Sequence, residues 1–346
     1  MRIIARSAAK TQSNWHEILA NSIRSGQQLL QQLQLSNHPE LASQAAENDF
    51  PVLVPRPWLE LMKPADPLDP LLLQVLPQAA ETLSQPGYVS DPLGEIATNV
   101  QPGIIHKYQG RLLLIAATGC AVNCRYCFRR HFDYADNRLS RQQWQQSLDY
   151  VRNNPEISEV ILSGGDPLML KDVHLAELVS AIEAIPHVKR LRIHSRLPVV
   201  IPARITESLT AMLASSRLDC VLVLHINHPQ EISAELQGGV TLLKQHGITL
   251  LNQSVLLKGI NDQADILVGL SEKLFQIGIL PYYLHLLDKV AGAQHFDMPL
   301  QQAQALYQQL HARLPGYLLP RLAQEESGMT GKTLIPLEAN QGNDSF

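Results

Sequence analysis

Thr118-Gly119-Cys120-Ala121-Val122-Asn123-Cys124-Arg125-Tyr126-Cys127-Phe128-Arg129-Arg130 gathers three of the chain's four cysteines into eight residues, spaced C-x3-C-x2-C. An apolar run, residues 112–117, stands directly before it. A strand running into such a loop delivers three thiolates to one point at its C-terminal end. Three soft thiolates suit an iron–sulfur cluster better than an oxygen-seeking ion. A four-iron cube has four corners, so three protein ligands leave one iron open to a small molecule. Buried structural thiols need no such spacing, and a zinc loop would want a fourth ligand nearby. The remaining cysteine, Cys220, lies far along the chain in another apolar run. Cys120, Cys124 and Cys127 are therefore candidate cluster ligands.

From residue 106 onward, apolar runs alternate with helical patterns. Runs at 112–118, 159–163, 188–194, 220–226, 249–256, 279–286 and 317–322 predict strands, and the stretches 140–153, 175–185, 207–214, 231–245, 264–277 and 300–314 predict helices. Nearly continuous apolar runs are what strands look like when both faces of a parallel sheet are buried. Repeated βα units either close toward a barrel or lie in an open doubly wound sheet. Polar residues at the ends of several runs (Ser163, His194, Arg196, His225, Gln253, Asp288) favour the barrel, because barrel active sites are built there. Residues 1–105 read differently. Trp15, Ile18, Leu19, Ile23, Leu29, Leu30 and Leu33 recur at helical spacing, and prolines then interrupt every long pattern between 50 and 102. The expectation is an α/β chain: an N-terminal helical, proline-rich wrap over 1–105, a barrel over 106–335 and a short tail over 336–346.

At 346 residues one large domain with an appendage is expected. A formal charge of −4 gives no bulk attraction for nucleic acid. No apolar run approaches the length of a membrane span, and Met1-Arg2-Ile3-Ile4 is not followed by the apolar core of a signal peptide. Few cysteines, three of them needed reduced, favour the cytoplasm over a disulfide framework.

Two further loops carry chemistry. Ser163-Gly164-Gly165-Asp166 follows a strand, and adjacent glycines let backbone approach a ligand closely. Alone that is ordinary turn punctuation. Near the end stands Glu325-Glu326-Ser327-Gly328-Met329-Thr330-Gly331-Lys332-Thr333. A phosphate-binding loop fails on spacing, since neither Ser327, four residues before Gly331, nor Glu326, five before it, is the glycine that loop needs. A Schiff-base amine, or a solvated surface lysine, remains open on the residues alone.

The cysteine spacing, with Tyr126 just before the last thiol, resembles the signature of radical S-adenosylmethionine enzymes. That resemblance implies a partial (β/α)6 barrel, with the methionine moiety chelating the open iron. It places Tyr126 and Ser163, Gly164, Gly165 and Asp166 in cofactor binding. From Asp91-Pro92-Leu93 to Thr333 the chain also resembles the lysine 2,3-aminomutase family. The matching pieces include Pro102-Gly103-Ile104-Ile105-His106-Lys107-Tyr108, His194-Ser195-Arg196-Leu197-Pro198, His225-Ile226-Asn227-His228-Pro229, Asn252-Gln253-Ser254 and Tyr282-Tyr283. The family resemblance implies three cofactors: a [4Fe-4S] cluster, S-adenosyl-L-methionine and pyridoxal 5′-phosphate. It makes Lys332 the amine that carries pyridoxal phosphate and Arg111 the guanidinium for its phosphate. It makes Arg129 the anchor of the substrate carboxylate, Asp288 and Glu325 the receivers of lysine's side-chain ammonium, and His225 and Gln253 contacts to the nucleoside cofactor.

Two positions depart from the family pattern: Glu325 stands where an aspartate is usual, and His285 where longer members carry tyrosine. The chain also stops soon after Lys332, as in short members that supply β-lysine for modification of elongation factor P. The resemblance thus implies L-lysine as substrate, an external electron donor such as flavodoxin or ferredoxin, and a link to elongation factor P and its lysyl ligase. Other readings are an aminomutase for glutamate or ornithine, a radical enzyme without pyridoxal, or a non-catalytic iron–sulfur protein bound to a translation component. Asp288 and Glu325 would repel an acidic side-chain terminus.

Overall fold

Leucine- and isoleucine-rich runs are costly to leave in water, and in the structure most of their apolar side chains are buried. The structure is a computed structural model, described here for residues 14–95, 99–101, 103–132, 141–326, 328–329 and 331–337. Among these residues one sheet contains ten strands in sequential order. They are β1 (Asn99–Gln101), β2 (Ile104–Tyr108), β3 (Arg111–Ala117), β4 (Glu159–Gly164), β5 (Arg190–Ser195), β6 (Asp219–His225), β7 (Thr249–Val255), β8 (Leu280–His285), β9 (Arg321–Gln324) and β10 (Thr333–Leu334). β3 to β9 are all parallel. Antiparallel β1 and β2 extend one edge, and antiparallel β10 extends the other.

Six helices make the crossovers: Arg141–Asn153, Asp172–Glu183, Glu207–Ala214, Ala234–Gln245, Ala264–Ile277 and Leu300–Arg313. Local chemistry sets their ends. The Thr206 and Ser233 side chains accept from Leu209 N and Leu236 N, capping two helices, and Gly278 at φ +94° ends another. Six βα units followed by a seventh strand make the partial barrel that the sequence implied. Its backbone ring stays open. Side chains span the gap instead: Tyr108 of β2 donates to Glu325 just past β9 at 2.9 Å, and Lys107 pairs with the same carboxylate at 3.7 Å.

Three expectations need adjustment. The last parallel strand begins at Arg321, not 317, because Pro320 has no N–H to donate and Tyr317 stands 63% exposed. β1, β2 and β10 went unread; each is short, and two of them, β1 and β10, form the two edges of the sheet. The boundary drawn at 105 falls inside β2, and the apolar core crosses it: Trp15, Leu29, Trp58 and Leu72 share one buried cluster with Leu162, Ile193 and Leu224. The tail expected at 336–346 lies outside the described residues from 338 onward. No helix among the described residues is long and apolar enough to cross a membrane.

Candidate active site

The cysteine loop leaves the C-terminal end of β3 and is lashed outward to the N-terminal wrap. Asn123 N donates to Leu53 O at 3.2 Å and Arg125 N to Gln74 O at 2.9 Å. Arg125, fully buried, grips the Glu81 carboxylate through Nε at 2.9 Å and also donates to Ala46 O. Arg130 reaches the same carboxylate at 3.0 Å. The three thiols are half-buried and free. Burial pushes Cys120 well above its ordinary value, with Cys127, Asp166 and Cys124 adding to the effect. Burial and then Cys124 push Cys127 up to about 11. Cys120 and Cys127, each raised in part by neighbouring thiols, share one small space with Cys124. Among the described residues, no three or more His, Cys, Asp or Glu side chains close around a single metal ion.

The glycine loop lies directly on the cysteine loop. Gly165 N donates to Ala117 O and Asp166 N to Gly119 O, both at 2.8 Å. A Cβ on Gly165 would stand 2.4 Å from Gly119 O, so only glycine permits this approach. Gly164 sits at φ +116°. The Asp166 carboxylate is fully engaged: it accepts from Ser195 Oγ (2.7 Å), Leu168 N (3.0 Å), and Arg196 N and Leu197 N (2.8 Å each). What it contributes locally is a latch between the loops after β4 and β5.

Arg129 joins the two ends of the site. Its Nε and Nη2 form a bidentate pair with Glu95 at 2.7 Å each, while Nη1 donates to Ser163 Oγ at 3.1 Å and Gly164 O at 3.2 Å. Its charge is felt by Cys120 and Cys127 on one side and by His194 and His225 on the other.

On that other side stands Lys332, half-buried, its Nζ donating to Glu325 Oε2 at 2.8 Å and lying 5.5 Å from the centre of the Tyr283 ring. Its charge reaches His194, His225, His285 and Asp288. Those residues sit at or just beyond the ends of β5, β6 and β8, so the amine faces the barrel mouth. Burial holds Asp288 up at about 7, aided by Glu325 and opposed by Lys332. Burial also raises Glu325, but Lys332, with Lys107 and Tyr108, outweighs it and brings that carboxylate down to about 2. One carboxyl is thus charged and its neighbour half-protonated at neutral pH. Arg111 lies over the Tyr108 ring at 4.4 Å, Tyr108 donates to Glu325, and Glu325 accepts from Lys332, so the guanidinium is three contacts from the amine.

Burial, and then positive neighbours, lower His225 to about 3. It is neutral, and its Nε2 is 3.2 Å from Gln253 Nε2, pairing two residues that the sequence assigned to one cofactor. His285 is likewise pushed well down by burial and lies 5.3 Å from Tyr283. Tyr126 turns its hydroxyl toward Asn227 Nδ2 at 2.7 Å and Gln74 Oε1 at 3.3 Å, with its ring edge-on to Phe296.

Several residues of this site were not assigned from sequence: Glu81, Glu95, Gln74, Lys107, Tyr108, Arg196, Asn227 and Glu231. Arg196, Asn227, Lys107 and Tyr108 lie within the motif pieces quoted above. Glu81, Gln74 and Glu231 were not legible, because the side chains they bind in the site lie 35 to 157 residues away.

Residues 114–267 match the Radical SAM superfamily. The chain is 50% identical over 335 residues to L-lysine 2,3-aminomutase of Haemophilus influenzae, covering 96% of this chain and 99% of that protein. It is 47% identical over 332 residues to L-lysine 2,3-aminomutase of Escherichia coli, with 96% and 97% covered. To the L-lysine 2,3-aminomutase of Clostridium subterminale it is 34% identical, covering 93% of this chain and 78% of that one. Barrel and cysteine loop together define a radical S-adenosylmethionine protein. Within that class the chain belongs to the L-lysine 2,3-aminomutase family, an isomerase family that uses a [4Fe-4S] cluster, S-adenosyl-L-methionine and pyridoxal 5′-phosphate.

The residues present fit those groups. Three crowded soft donors suit a cluster wider than a single-ion site. The glycine loop beside them offers backbone at close range. A half-buried primary amine, with an arginine three contacts away, suits an aldehyde bearing a phosphate.

Proposed function

We propose that this chain moves the α-amino group of L-lysine to the β-carbon, giving β-lysine. The observation that carries this reading is the single mouth shared by Lys332, Asp288, Glu325 and Arg129, with the three cysteines behind Arg129. A basic amino acid needs a cation receiver at one end and an anion receiver at the other. Asp288 and Glu325 supply the first, Arg129 the second, and both acidic groups disfavour glutamate.

The bound cofactors supply radical chemistry at the cluster and an electron-delocalising ring at Lys332; the protein supplies position and dryness. Lys332 is the amine that would carry the pyridoxal group. While its ammonium is free, it neutralises Glu325 at 2.8 Å. Once that nitrogen is engaged elsewhere, Glu325 is left to face the substrate's side-chain ammonium together with Asp288. Glu95 fills the fork of Arg129 with a carboxylate; a substrate carboxylate arriving there shares or displaces that pairing. Arg111 would hold the phosphate, His225 and Gln253 the nucleoside, and Ser163, Gly164, Gly165, Asp166 and Tyr126 the wall around the methionine end. Neutral His225 can exchange hydrogen bonds with an uncharged base without adding charge.

The electron would come from an external one-electron donor of the flavodoxin or ferredoxin kind, in the cytoplasm, where thiols stay reduced. We place the product in the modification of elongation factor P, delivered through its lysyl ligase. Support for that placement is similarity: identity is 50% and 47% to the Haemophilus and Escherichia proteins but 34% to the clostridial one.

Lys332→Ala tests the assignment of the amine. The expected outcome is unchanged iron content, loss of the pyridoxal absorbance and loss of turnover. Full activity in that variant would remove Lys332 from the chemistry.

A further inference from the structure

We propose that Arg196 sets the reduction potential of the cluster held by Cys120, Cys124 and Cys127, through a charged hydrogen bond to the Cys124 thiolate, and that Glu231 moderates it. The inference rests on those three cysteines holding the cluster.

Arg196 begins the turn after β5, its backbone N–H fixed by Asp166 at 2.8 Å. Its guanidinium is buried and stacks over Trp58 at 4.7 Å and Tyr126 at 5.5 Å. Nη1 donates to Cys124 Sγ at 2.7 Å and to the Tyr126 hydroxyl. Nη2 donates to Gln74 Oε1 at 2.6 Å and pairs with Glu231 Oε2 at 3.4 Å. Glu231 is itself fully buried, its Oε1 accepting from Asn227 N (3.0 Å), His228 N (3.1 Å) and Gln74 Nε2 (3.1 Å). None of these groups touches Lys332, Asp288 or Glu325, so substrate binding does not explain them.

A guanidinium keeps its charge at any working pH. Fixed at one thiolate ligand, it withdraws electron density from that sulfur and stabilises the cluster after it has gained an electron. Hydrogen bonds to cluster sulfurs are an established means of setting potential, and burial strengthens the effect. The couple takes one electron from the external donor, and no proton moves at Arg196. Glu231 places a compensating negative charge on the far side of the same guanidinium. Removing either partner must therefore move the potential in opposite directions. A purely structural clamp has no reason to give opposite signs.

The test uses the reconstituted full chain under anaerobic conditions, with iron and sulfide quantified and the midpoint potential read by redox titration followed by electron paramagnetic resonance. Arg196→Gln is expected to keep four irons and shift the midpoint negative. Arg196→Lys should fall between it and the unmodified protein, and Glu231→Gln should shift the midpoint positive. A tenfold change in the reduced-to-oxidised ratio corresponds to about 59 mV for a one-electron couple. Unchanged midpoints, shifts of the same sign, or loss of the cluster from the Arg196 and Glu231 variants alike would overturn the proposal. Failure of the unmodified protein to bind a four-iron cluster would instead refute the ligand assignment beneath it.

Discussion

Asp288 and Glu325 are two carboxyls in one cavity with opposite protonation habits, and the cause is which of them touches Lys332. Glu325 has the ammonium at 2.8 Å and is held at about 2; Asp288 is buried beside that negative charge and is held at about 7. An ammonium ligand needs Asp288 ionised. Lysine binding should therefore weaken as pH falls below 7, by up to about tenfold per unit, with the KM for lysine rising accordingly. In Asp288→Asn this part of the profile should flatten, at a uniformly higher KM. A KM that stays constant from pH 6 to 8 in the unmodified protein would detach Asp288 from the substrate. The stability consequence has the same origin. The folded chain holds the Asp288 proton above the ordinary value of 3.8, so this group's contribution falls as pH rises from about 4 to about 7. Glu325 acts in the opposite sense: its stabilisation is present above the unfolded value of 4.5 and is lost as pH falls through about 2.

At the scale of elements, the site depends on one loop lying on another. The strand ends were legible in the sequence because parallel strands buried on both faces give unbroken apolar runs: β4, β6 and β7 begin and end within about one or two residues of those runs. Cys120, Cys124, Cys127 and the glycine pair were legible because their chemistry is local. The approach of Gly165 to Gly119 was not, since it joins residues on two different loops. Nor was Arg196, whose thiolate partner is 72 residues away. The rim strands were missed because two- to five-residue strands carry almost no period. Gly165→Ala tests the loop contact. The added Cβ, 2.4 Å from Gly119 O, must push the loops apart. We expect a stability loss of about 1–3 kcal/mol, reduced iron retention and weaker S-adenosylmethionine binding. A variant that melts like the parent and binds both normally would contradict the close packing.

At the scale of the molecule, the N-terminal wrap is the outer wall of the cysteine loop. Glu81 alone faces two buried guanidiniums, Arg125 and Arg130, and the main chain of 53–74 accepts from Asn123 and Arg125. Glu81→Gln leaves buried Arg125 without its carboxylate and Arg130 with only the exposed Asp49 at 3.1 Å, a loss of about 3–5 kcal/mol readable in denaturant unfolding, together with poor cluster retention. An unchanged unfolding midpoint would separate the wrap from the loop. On this account, wrap, cysteine loop and Lys332 form one apparatus for a single reaction. The direct measurement is an anaerobic incubation of reconstituted protein with reductant, S-adenosylmethionine, pyridoxal phosphate and L-lysine, the products resolved as α and β isomers. β-Lysine should accumulate with the unmodified chain and be absent with Lys332→Ala. Cleavage of S-adenosylmethionine with lysine left wholly in its α form would contradict the proposed function.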